Sequence, residues 1–107
     1  MIPMIVTLAL NPAIDVSSEA ETVRSAHKVR TTNEVYDAGG GGVNVARAIT
    51  ALGGDVEVIC LSGGVTGALL DELLARDNIS RQLVKIAGYT RISLTVHEHA
   101  TGMEYPF

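Results

Sequence analysis

Two stretches of the chain are apolar almost without interruption. Met4-Ile-Val-Thr-Leu-Ala-Leu10 ends at Asn11-Pro12, and Val56-Glu-Val-Ile-Cys-Leu61 ends at Ser62-Gly63-Gly64. Such runs suit strands buried on both faces, as in a parallel sheet. Between them, Val43 to Leu52 is rich in alanine, apolar on most sides and stopped by Gly53-Gly54. That pattern predicts a buried helix closed by glycine. A second helix is expected from about Thr66 to Arg76. Its buried stripe is Leu69, Leu70, Leu73 and Leu74, with Asp71, Glu72 and Arg76 facing water and Asn78 placed to close it.

Elsewhere the period changes. In Arg91-Ile-Ser-Leu-Thr-Val-His97, Ile92, Leu94 and Val96 point one way, and Arg91, Ser93, Thr95 and His97 the other. Strict alternation marks a half-buried strand, typical of antiparallel sheets. Lys28 to Val35 alternates less cleanly, and Ala100-Thr101-Gly102 reads as a hairpin turn into Met103 to Phe107. Buried strands with helices point to an α/β core. The half-buried strands point to a small antiparallel flap inserted into it. Two parallel strands and two helices do not close a core, and the chain stops inside a hairpin's return strand. The expectation is the N-terminal portion of a larger domain.

A chain of 107 residues holds one domain at most, and 47% hydrophobic residues with 11 glycines is more apolar than so small a domain needs. The net charge is −4, the Lys and Arg residues are scattered, and Trp is absent, which argues against nucleic acid as a partner. The one cysteine, Cys60, permits no internal disulfide and fits a reducing compartment. Met1 to Leu10 lacks the basic start and cleavage site of a secretory leader. No apolar run approaches a membrane span. A cytoplasmic protein is expected.

The candidate chemistry centres on Asp37-Ala-Gly-Gly-Gly-Gly-Val-Asn-Val-Ala46. Four glycines run straight into a helix. Glycine lets another group approach the backbone closely, and a helix N-terminus offers free N–H groups and partial positive charge. The segment is either a flexible loop or a site for hydroxyls or an anion, to which Asn44 adds a donor and an acceptor. It is neither a Walker A motif nor Gly-x-Gly-x-x-Gly. Asp15 follows the first strand, as a solvated turn residue or at the ligand crevice beyond the strand ends. Lys28 and Arg91 are solvated charges by default, although Arg91 shares a polar strand face. His97 and His99 lack a third ligand at metal spacing, so no metal site is expected.

The order of these segments carries a resemblance. Thr7-Leu-Ala-Leu-Asn-Pro-Ala-Ile-Asp15, Asp37 to Ala48, Leu52-Gly-Gly54 and Gly63-Gly-Val-Thr-Gly67 resemble the N-terminal part of the ribokinase/PfkB sugar kinases. The Gly-Asn-Val-Ala-Arg wording is that of the phosphosugar branch. The lysine that tagatose-6-phosphate and 1-phosphofructokinases carry in the glycine run is replaced by Gly41, as in the 6-phosphofructokinase branch. Asn11 to Asp15 is worded more like the 1-phosphofructokinases.

The resemblance implies a ribokinase-like three-layer α/β/α body, incomplete here, with a small antiparallel β lid. Residues 1–107 form one portion of a single kinase domain, with lid strands at about 16–36 and 82–107. It implies an ATP-dependent kinase converting fructose 6-phosphate to fructose 1,6-bisphosphate in glycolysis, with tagatose 6-phosphate or fructose 1-phosphate as alternative substrates. A non-catalytic module that binds phosphosugar or dimerises is the reading from another class. Sugar contacts are implied for Asp15, Lys28, Gly40, Gly41, Asn44 and Arg91, and a homodimer through the lids. The family's catalytic aspartate lies in a later Gly-Ala-Gly-Asp type motif. No catalytic residue is therefore expected here, ATP and Mg2+ are held mainly elsewhere, and the chain alone is inactive.

Overall fold

The computed structural model describes residues 5–107. Met4, the expected start of the first strand, lies outside them. The elements in order are β1 (Ile5–Ala9), β2 (Ala13–Ala20), β3 (Thr32–Gly39), α1 (Gly41–Ala51), β4 (Val56–Ser62), α2 (Gly64–Arg76), β5 (Arg81–Lys85), β6 (Arg91–Glu98) and β7 (Glu104–Pro106). They form a parallel sheet, β1-β4-β5, and a second sheet, β3-β2-β6-β7.

The parallel sheet is the body. Its register sets Ile5 beside Val56 and Ala9 beside Cys60, so Thr7, Ala9, Val56, Val58 and Cys60 share one face. Both helices pack on that face, through Val43 and Ala46 of α1 and Leu70, Leu73 and Leu74 of α2. The expected leucine stripe of α2 is present, with Leu69 half-buried at its margin. Val6 and Leu8 point to the opposite face and are exposed. The described residues thus build one sheet and one helical layer of the α/β/α body. The sequence predicts β1 buried on both faces and α1 as a buried helix, apolar on most sides. Each is covered on one side, because no element among the described residues lies against the other, and Val45 and Leu52 are exposed.

The helix stops follow the expected chemistry. Gly53 closes α1 in left-handed backbone, φ 81°, with its N–H on the Thr50 carbonyl. Asn78 takes the same conformation after α2, φ 56°, and the next N–H, of Ile79, bonds the Leu74 carbonyl at 3.0 Å. Asparagine tolerates this region better than most residues.

The second sheet is the lid, and it corrects three expectations. It is mixed: β2–β3 and β6–β7 are antiparallel, but the central pair β2–β6 is parallel. The chain crosses the whole body between β2 and β6, which permits the parallel pairing. Second, the later lid segment begins at Arg91, not near 82, because Arg81–Lys85 is a third body strand beside β4. Third, Lys28 sits in the 21–31 connection, and β3 begins only at Thr32. The turn before β7 falls as expected, with Gly102 at φ 74°.

Lid and body meet at the base of β2 and β3. Ile14, Val16 and Ala38 join the body core, and α2 packs beneath them. At the rim, Arg76 at the end of α2 donates to the Tyr36 carbonyl at 2.9 Å and pairs with Asp37 at 2.7 Å.

Candidate functional site

Asn11 and Pro12 carry the chain from the carboxyl end of β1 into β2. That is where ligands bind in open α/β sheets. On one side stand the glycines. Gly40 caps α1 with φ 111°, backbone that favours glycine, and a Cβ there would also crowd Pro12 at 3.1 Å. A Cβ on Gly42 would lie 2.1 Å from the Leu8 carbonyl oxygen, so glycine lets α1 rest on β1. Nothing lies within 4 Å of the equivalent point on Gly41. Leu8 to Pro12 and Gly40 to Gly42 enclose a concavity of about 300 Å³.

The first turn of α1 carries no acidic residue, and no side chain caps it. Its free N–H groups give the concavity partial positive charge. Asn44 is one turn along, exposed, with its backbone N–H on the Gly40 carbonyl at 2.9 Å. Its Oδ1 accepts a hydrogen bond from Arg47 at 3.0 Å.

The other side is the polar face of the lid. Asp15 lies inside β2, not in a turn, between Asp37 of β3 and Ser93 of β6. Arg91 pairs in register with Ala13, on the same face as Asp15. Its guanidinium reaches the Asn11 carbonyl at 3.3–3.4 Å. Arg91 is set there by its neighbour: buried Thr90 accepts the Gly63 N–H on Oγ1 at 3.2 Å and donates its own N–H to the Gly63 carbonyl at 3.0 Å.

Of the six sequence-derived candidates, Asp15, Gly40, Gly41 and Arg91 flank Asn11-Pro12, and Asn44 stands one helical turn away. Lys28 is apart from them. It lines a separate polar hollow with Glu21, Arg24, His27 and Arg30. Arg47 and Ser93 join the site without being among the six. Arg47 could have been found from its i, i+3 spacing to Asn44. The alternation of residues 91–97 gives the face of Ser93 and not its place beside Asp15.

Other groups are poorly suited to chemistry. Burial pushes the Cys60 thiol up to about 11, so it is no nucleophile at neutral pH. His99 pairs with Glu19 at 3.0 Å, and His97 is edge-on to it with ring centroids 6.1 Å apart. Among the described residues no group of three or more His, Cys, Asp or Glu side chains could hold a metal ion.

The family model for pfkB family carbohydrate kinases matches residues 4–106. The chain belongs to the pfkB family. It is 42% identical over 98% of its length to ATP-dependent 6-phosphofructokinase isozyme 2 of Mycobacterium tuberculosis, and spans 31% of that protein. It is 33% identical over 89% of its length to a tagatose-6-phosphate kinase of Staphylococcus epidermidis, again spanning 31%. It superposes on phosphofructokinase-2 of Escherichia coli, solved with fructose-6-phosphate, with a TM-score of 0.91 and 40% identity, over 99% of this chain and 35% of that one. A second structure of that enzyme is its tetrameric inhibited form. The chain therefore spans about a third of the length of these pfkB relatives and has their ribokinase-like α/β fold.

Proposed function

We propose that this chain is the sugar-binding and lid part of an ATP-dependent 6-phosphofructokinase, which transfers a phosphoryl group from ATP to fructose 6-phosphate. The observation that carries this reading is the meeting, at Asn11-Pro12, of a glycine-lined helix N-terminus with the Asp15 and Arg91 face of the lid. Asp15 accepts hydrogen bonds from sugar hydroxyls. The backbone of Gly40 and Gly41 lets the sugar lie close, and Asn44 adds a side-chain contact. Arg91 pairs with the phosphate already on the sugar, for which a planar fork of donors is suited. Identity of 42% to a 6-phosphofructokinase, against 33% to a tagatose-6-phosphate kinase, supports fructose 6-phosphate as the sugar.

Phosphoryl transfer needs a bound nucleotide, neutralised charge and a positioned nucleophile. This chain contributes to the last. ATP, with Mg2+, supplies the phosphoryl group from residues outside the site described, and the chain by itself transfers none. Lys28, standing apart at the lid tip, reaches a sugar across the lids of a homodimer. Ile92 and Leu94, 51% and 43% exposed on the lid face opposite Asp15, support that pairing. No helix among the described residues is long and apolar enough to cross a membrane. The likeness to phosphofructokinases supports placing the enzyme in the cytoplasm.

The test is turnover by the full-length protein with ATP and four sugars: fructose 6-phosphate, tagatose 6-phosphate, fructose 1-phosphate and fructose. The highest kcat/KM is expected with fructose 6-phosphate. A preference for another phosphosugar reassigns the substrate. Binding without turnover of any of them favours a non-catalytic module.

A further inference from the structure

The guanidinium of Arg47 meets three elements at once. Its Nη1 donates to Oδ1 of Asn44 at 3.0 Å, one turn back on α1. Its Nη2 donates at 2.5 Å to the carbonyl of Ala38, where β3 runs into the glycines. Its Nε faces Oδ2 of Asp77 at 3.5 Å, just beyond α2. Asp77 also pairs with Arg76 at 3.1 Å, and Arg76 with Asp37 of β3 at 2.7 Å. Arg47 is therefore anchored from α2 and β3 while it holds a side chain of α1, and its donors form a rigid planar fork.

An asparagine amide has an acceptor end and a donor end, and either can face a ligand. Arg47 removes that choice. A guanidinium has donors only, so the end of Asn44 turned toward it is the oxygen. The end turned away is Nδ2, which carries only N–H groups.

We propose that Arg47 is a positioning residue for the sugar site, which presents Asn44 as a hydrogen-bond donor to an accepting oxygen of the phosphosugar. The proposal rests on the reading of Asn44 as a sugar contact. Through Ala38, Arg47 also ties the start of the glycine run to the same turn of α1, so the glycines and Asn44 are held as one unit.

The experiment is a double-mutant cycle in the full-length protein, reading KM for fructose 6-phosphate and KM for ATP in Asn44→Ala, Arg47→Ala and the double variant. Each single change is expected to raise the sugar KM about tenfold, the loss of roughly one hydrogen bond, and to leave the ATP KM unchanged. The double variant should be no worse than Asn44→Ala alone, because the second change removes a support for a side chain already absent. Additive losses, or a parental sugar KM in Arg47→Ala, overturn the positioning role alone. A parental sugar KM in Asn44→Ala overturns the sugar-contact reading and the inference with it. Asn44→Asp guards against loss of fold, since it keeps an acceptor for Arg47 but has no donor. It should lose as much sugar affinity as Asn44→Ala, and a near-parental KM shows that position 44 accepts rather than donates, against the proposal.

Discussion

The carboxylate of Asp15 occupies the space that a side chain on Gly39 would need: a Cβ there would lie 2.0 Å from Oδ2 and 2.6 Å from Cγ of Asp15. The two residues share a face on the adjacent strands β2 and β3. Gly39→Ala should displace Asp15 rather than unfold the strand, since an exposed side chain can change rotamer. We expect kcat/KM for fructose 6-phosphate to fall about tenfold, as one charge-assisted hydrogen bond is misplaced, with little change in melting temperature. Parental sugar kinetics would contradict the placing of Asp15 in the site.

Gly42 and Gly41 should behave oppositely in stability. A Cβ on Gly42 meets backbone, the Leu8 carbonyl at 2.1 Å, which cannot rotate away. Helix α1 would have to lift from β1, straining the 2.9 Å bond from Thr7 Oγ1 to the Gly42 carbonyl. Gly42→Ala should cost about 1–3 kcal/mol, as overpacking does. At Gly41 the space is open, and alanine should be neutral or add up to about 1 kcal/mol through helix propensity. Denaturant unfolding of both variants checks this, and equal stabilities would contradict it.

Arg91 should read the sugar's phosphate. Arg91→Lys keeps the charge but loses the fork, and should bind fructose 6-phosphate less tightly. Arg91→Ala should lose more, about tenfold to a hundredfold for one charged contact. Affinity for free fructose and ATP should not move. Titration of each variant with both sugars checks it, and an Arg91→Ala protein that binds fructose 6-phosphate as the parent does rules the role out.

The lid tip should be pH-sensitive. The hydrogen bond to Glu19 holds the His99 pKa above its ordinary 6.5, and the bonds from His99 and Asn33 hold Glu19 below its ordinary 4.5. The raised His99 contributes stability below 6.5 that is lost as pH rises through its folded value. The lowered Glu19 contributes stability above 4.5 that is lost as pH falls through its folded value. Protection of the His99 and Ala100 N–H groups, bonded to the Ala20 and Glu21 carbonyls, should therefore be greatest between those two values. His99 is exposed and Glu19 half-buried at the surface, so the effect is small and salt-screened. Hydrogen exchange at several pH values checks it, and His99→Gln should abolish the fall on the alkaline side.

The strands and helices with strong periods were legible from the residues: β4, α1, α2 and β6 fall where the pattern puts them. β5 was not. Arg81-Gln-Leu-Val-Lys85 has only two apolar residues between charges, the usual dress of a strand at a sheet edge. β2 begins at Ala13 and takes in Asp15, ahead of the lid strands expected from about residue 16; its alternation, Ile14 and Val16, fades into Ser18 and Ala20 and marks no strand start. The glycine run, Asp15, Asn44 and Arg91 were legible as a set only through the family resemblance. What no local pattern announces is contact across long separations, such as Arg76 with Asp37 or Asp15 above Gly39. Those pairings exist because β2 and β3 pair in one excursion to the lid and the chain then returns to set α2 beneath them, which is topology rather than propensity.

The central claim is that Asp15 holds the sugar at the junction of lid and glycine run. It is tested most directly by kcat/KM for fructose 6-phosphate in full-length Asp15→Asn, measured beside the ATP dissociation constant. The exchange removes a charge and one acceptor while keeping the size of the side chain. A charged hydrogen bond is worth about 1.5–3 kcal/mol, so the account predicts a loss of roughly tenfold to a hundredfold in kcat/KM with ATP binding unchanged. A parental kcat/KM, or a loss confined to ATP, would contradict it.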